Sequence, residues 1–130
     1  MGSTVLVVED DHEILSGVQE TLTDAGYEVA TARHGREAMA YLETGSTPSA
    51  IVIDLLMPLM NGWDLVARLR ANPRLASIPV VVVTATGPHW GYPVDSSLVV
   101  RKPFHRQQLL NVIRRVTAPA PDAPPALGQV

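Results

Sequence analysis

Short apolar runs rich in β-branched residues alternate with segments of helical period along most of this chain, and that alternation restricts the fold more than any other feature. It is the pattern of repeated βαβ units, which build a parallel sheet with helices packed on its faces. Strands are expected at Thr4 to Val8, Tyr27 to Thr31, Ile51 to Ile53, Ile78 to Thr84 and Leu98 to Arg101. The run Val80 to Val83 is continuous and should lie centrally. Helices are expected at about His12 to Ala25, Gly35 to Thr44, Gly62 to Ala71 and His105 to Thr117. Their inward stripes read Ile14, Val18 and Leu22, then Ala38 with Tyr41 or Leu42, then Leu65, Val66 and Leu69. The last reads Leu109, Val112 or Ile113, and Val116. Gly26 ends the first helix as a C-terminal glycine, and Asn72-Pro73 closes the third.

Composition narrows the class further. A chain of 130 residues predicts one domain. With 46% hydrophobic residues and six aromatics, the core should be aliphatic, which favours α/β layering over an aromatic-rich sandwich. A net charge of -3 leaves no basic footprint for a phosphate backbone, so direct nucleic-acid binding is not expected. There is no cysteine, which removes disulfides and thiolate metal sites. No apolar run approaches a membrane span of ~18 residues, and the N-terminus shows no leader pattern; a cytoplasmic protein is the expectation. From Ala118 onward the Pro/Ala-rich composition lacks apolar area to offset ordering entropy. The expected division is therefore a domain over 1–117 and a flexible tail over 118–130.

In a doubly wound parallel sheet the carboxyl ends of the strands open on one edge. Glu9 and Asp10 end the first strand, Asp54 the third and Thr84 the fourth, and Lys102 follows the fifth. Three close carboxylates repel one another unless a cation neutralises them. An all-oxygen site of this kind suits Mg²⁺, and with Lys102 beside it the site would receive a tetrahedral anion. Asp54 would be the nucleophile, because a carboxylate can form an aspartyl phosphate. Met57-Pro58 and Asn61-Gly62 shape the loop that follows it.

Four motifs carry a resemblance: V-V-E-D-D after strand one, D-L-L-M-P-L-M-N-G around Asp54, V-V-V-T-A in strand four, and R-K-P-F after strand five. In that order, with helical segments between them, they resemble the receiver domain of two-component response regulators over about residues 3 to 117. The resemblance implies a flavodoxin-like three-layer α/β sandwich with a five-stranded parallel sheet in the order 2-1-3-4-5, an order also found in a receiver protein used as a standard example of the fold. It further implies that Asp54 takes a phosphoryl group from a sensor histidine kinase or a histidine phosphotransfer protein. Asp10, Asp54 and the backbone carbonyl of Leu56 would hold Mg²⁺, with Glu9 assisting through water. Lys102 would pair with the phosphoryl group and Thr84 would hydrogen-bond it; the Lys102-Pro103 peptide is expected to be cis. The implied activity is Mg²⁺-dependent self-phosphorylation and slow self-dephosphorylation rather than conventional turnover. The implied protein is a single-domain receiver, a monomer or a phosphorylation-dependent dimer, with a downstream protein partner.

Departures from the family pattern bear on output. Glu9 stands where Asp is usual, which should keep the metal site. Val99 occupies the place of the switch aromatic, three residues before Lys102, so no rotating ring can carry the signal. Between Thr84 and Lys102 lie 17 residues holding Gly87, Pro88, Gly91 and Pro93; a fourth helix there should be shortened or absent. Trp90 and Tyr92 would then cover the core or meet a partner. Leu56, two residues beyond Asp54, cannot orient an attacking water. Taken without its companions, Glu9-Asp10-Asp11 reads as a helix start, Asp10 to Glu13 having capping-box spacing; with Asp54 and Lys102 in their places, Asp11 is left to serve as the cap. The alternative to a phosphoacceptor is a receiver-shaped interaction module that does not rely on phosphorylation. A flavin or nucleotide binder shares the sheet order but needs a Gly-rich phosphate loop after strand one, where acidic residues stand instead.

Overall fold

The computed structural model describes residues 3–45, 47–54, 62–84, 99–101 and 104–117. Its five strands are β1 (Thr4–Val8), β2 (Glu28–Ala32), β3 (Ala50–Asp54), β4 (Val80–Thr84) and β5 (Val99–Arg101). They form one parallel sheet in the order β2-β1-β3-β4-β5. Among the described residues there are four helices: α1 (His12–Asp24), α2 (Gly35–Glu43), α3 (Gly62–Ala71) and α4 (Arg106–Val116). The segment 85–98, where a shortened or missing helix was expected, lies outside the described residues, as do Lys102-Pro103 and the 118–130 tail.

Two apolar cores lie against opposite faces of the sheet. Because strand side chains alternate, β1 gives Leu6 and Val8 to one core and Val5 and Val7 to the other. β3 and β4 divide the same way: Ile51, Ile53, Val80 and Val82 face Ala38 and Leu42 of α2 and Leu65, Val66 and Leu69 of α3. Val52, Val81 and Val83 face Leu15, Val18 and Leu22 of α1 and Leu109, Leu110 and Ile113 of α4. This is the three-layer sandwich expected, with the sheet buried on both sides. The buried stripe of α1 is centred on Leu15 rather than Ile14, which packs at its margin. In α4, Leu109, Leu110 and Ile113 are buried while Val112 and Val116 sit at the edge.

Element boundaries shift where local hydrogen bonds compete with the sheet. Gly26, at φ 100, allows a Schellman ending to α1: its N–H donates to Thr23 and the Tyr27 N–H to Leu22, each at 3.0 Å. Tyr27 is thereby spent on the helix end, and β2 starts at Glu28. The Ile78 N–H donates to the Leu75 carbonyl at 3.1 Å, Pro79 has no N–H, and β4 starts at Val80. Across the bottom of the sheet, the Tyr27 hydroxyl lies 2.9 Å from the Thr117 hydroxyl that ends α4.

Candidate functional site

The parallel register decides which residues meet. Val8 pairs with Ile53, so Glu9 and Asp54, each next in its strand direction, arrive together at the carboxyl edge of adjacent central strands. The Glu9 N–H donates to the Ala32 carbonyl at 3.0 Å, holding this turn against the end of β2. Glu9 is 3% exposed and Asp54 7%, whereas Asp10 stands at the surface. One carboxylate oxygen from each of Glu9, Asp10 and Asp54 lies within 4.8 Å of the other two. Three of the residues expected at this edge are therefore brought together by the strand order itself.

The third acidic residue of the E-D-D run has another role. Asp11 is the N-cap of α1, its Oδ1 accepting the N–H groups of Glu13 at 3.0 Å and Ile14 at 3.1 Å. Asp10 is thus not the cap, although its spacing to Glu13 allowed it. The Glu9 carboxylate accepts the Asp11 N–H at 3.1 Å, a contact that sequence reasoning did not foresee. A buried carboxylate requires such donors, and a backbone N–H two residues on is reachable by a side chain of this length.

Of the other expected site residues, Thr84 closes β4, paired with Arg101 of β5. The Thr84 side chain, Leu56 and Lys102 lie outside the described residues. Val99, at the switch position, pairs with Val82 and packs against the core shared with α2 and α3. His12, His34 and His105 are not in the acidic group; His34 and His105 begin α2 and α4 as N-caps.

The family model described as "Response regulator receiver domain" matches residues 5–114. Among curated proteins, the probable transcriptional regulator ycf29 of Pyropia yezoensis is 34% identical over 122 residues, covering 91% of this chain and 54% of that protein. The chemotaxis protein CheY1 of Helicobacter pylori is 38% identical over 84 residues, covering 64% of this chain and 68% of that protein. The chain spans about half the length of the curated relatives that it matches over most of its own length. Among solved structures, the chemotaxis response regulator CheY4 of Vibrio cholerae superposes with a TM-score of 0.80 at 31% identity, covering 89% of this chain and 99% of that one. No helix among the described residues is long and apolar enough to cross a membrane. Sheet order, the acidic edge and the family match over residues 5–114 agree, and the chain belongs to the response regulator receiver domains of two-component signalling.

Proposed function

We propose that Asp54 accepts a phosphoryl group from a phosphohistidine, carried by a sensor histidine kinase or a histidine phosphotransfer protein, and that the phosphorylated domain signals by contact with a downstream protein. The observation that carries this reading is the convergence of three carboxylates within 4.8 Å, two of them buried. Like charges so close are unstable without a cation, and their hard oxygen donors fit Mg²⁺. Asp10, Asp54 and the Leu56 carbonyl would hold it, with Glu9 assisting through water. When bound, Mg²⁺ stabilises negative charge on the oxygens of the phosphoryl group in transfer.

The chain's own residues divide the remaining work. An Asp54 carboxylate oxygen attacks phosphorus, the bond from phosphorus to the histidine nitrogen breaks, and the released imidazole takes up a proton. The Lys102 ammonium offsets charge on the phosphoryl oxygens and the Thr84 hydroxyl donates to one of them. The new group adds roughly -1.5 to -2 charge at an edge where β1, β3 and β4 all end. A domain fed by such donors works in the cytoplasm, as a monomer or as a dimer formed on phosphorylation.

Incubation with acetyl phosphate and Mg²⁺, followed by intact-mass measurement, tests the reading. A gain of one phosphoryl group that disappears with EDTA and in Asp54→Asn is expected. No gain, or a gain that survives in Asp54→Asn, would overturn it. Equal binding of a downstream partner by wild type and Asp54→Ala, with and without phosphodonor, would favour the phosphorylation-independent module.

A further inference from the structure

We infer that Asp11, which is outside the acidic group, is a positioning residue for Mg²⁺ binding: its cap on α1 fixes the backbone that carries Glu9 and Asp10. The inference rests on the Mg²⁺ site proposed above. Asp10 is exposed and is the middle residue of the three-residue step, Glu9 to Asp11, between β1 and α1, so its direction depends on how its neighbours are held. On the strand side, the Glu9 N–H donates to Ala32 at 3.0 Å. On the helix side, the Asp11 carbonyl accepts the Leu15 N–H at 2.9 Å, and Asp11 Oδ1 accepts two more N–H groups, from Glu13 and Ile14.

These bonds hold Asp11 at φ -78 and ψ 116 and aim its own N–H at the buried Glu9 carboxylate, 3.1 Å away. Glu9 is thereby oriented from the helix end, and Asp10 is clamped between two fixed residues. Without the cap oxygen the first turn of α1 frays, the Asp11 N–H loses its direction, and both the buried and the exposed carboxylate lose their setting. Partners of this kind govern metal affinity although they never touch the ion.

The experiment is calorimetric titration of Mg²⁺ into the full, unphosphorylated chain at about 0.15 M salt, where exposed charges still interact within a Debye length of about 8 Å, so that Asp11→Asn serves as the control for the Asp11 charge itself. Asp11→Ala should weaken the Mg²⁺ Kd about tenfold, the low end for loss of a supporting partner. Asp11→Asn should bind as wild type, because Asn caps as well as Asp. Tyr27→Phe, which removes the hydroxyl contact with Thr117 at the far end of the sheet, lowers stability without moving the Kd and separates positioning from general loosening. An unchanged Kd in Asp11→Ala overturns the inference. So does equal weakening in Asp11→Ala and Asp11→Asn, which assigns the effect to charge, or equal weakening in Tyr27→Phe. Wild type that takes up no Mg²⁺ overturns the metal site itself, and the inference with it.

Discussion

Glu9 shows how much of the site is settled by single residues. A carboxylate that is 3% exposed is costly to bury, and here it has a backbone donor in Asp11 and two acidic neighbours that call for a cation. Asp11 lies one residue beyond Asp10, yet its side chain caps the helix and is not one of the three grouped carboxylates. Three successive acidic residues look interchangeable in the sequence, since each could cap a helix or face a metal. The backbone places Glu9 in the interior, Asp10 at the surface of the site and Asp11 at the cap. A residue-scale prediction concerns the lifetime of the phosphorylated state. Leu56 has an apolar side chain that cannot direct a water onto phosphorus, so Leu56→Asn should accelerate phosphate loss, read as the decay of the phosphorylated mass after phosphodonor is removed. An unchanged decay would rule out this account of slow hydrolysis.

Elements were legible where apolar patterning was strong and less so where hydrogen bonds at their ends compete. Val80 to Val83 announces a strand, but Pro79 and the Ile78 bond to Leu75 decide where it starts. The same holds for β2, which yields Tyr27 to the Schellman ending of α1. Leu75 was missed altogether. It follows the Asn72-Pro73 break, in a stretch without strand or helix periodicity, yet it is fully buried in the core under α2 and α3. The Ala76 N–H donates to the Asn72 carbonyl at 2.8 Å and the Leu75 N–H to the same oxygen at 2.9 Å, so a compact turn delivers Leu75 inward. Arg74 in the same turn donates to the Leu42 carbonyl at 2.6 Å, tying it to the end of α2. Leu75→Ala should cost about 2–5 kcal/mol, measured by urea denaturation. A loss below about 0.5 kcal/mol, the range of surface substitutions, would show that the turn does not support the core.

At the scale of the whole molecule, the division of β1, β3 and β4 between two cores explains why their sequences give strand identity but not facing. Both faces are covered, so no polar residue marks one side of Val5 to Val8 or Val80 to Val83. The site was legible for a related reason: strands buried on both faces must place their polar residues at their ends, and Glu9 and Asp54 stand there. A Mg²⁺ ion held at that edge, as proposed, would make the stability of the fold depend on cations. Mg²⁺ at a hundredfold excess over its Kd should stabilise the native state by about 2.7 kcal/mol, seen as a raised melting temperature. Asp54→Asn should melt higher than wild type in EDTA, through relief of repulsion, and respond less to Mg²⁺. The most direct measurement of the central claim is to treat the protein with acetyl phosphate and Mg²⁺, reduce it with borohydride, and map the peptides by mass spectrometry. Reduction turns an aspartyl phosphate into homoserine, and homoserine at position 54 alone is the predicted result; homoserine at Asp10, or at no position, would contradict the account.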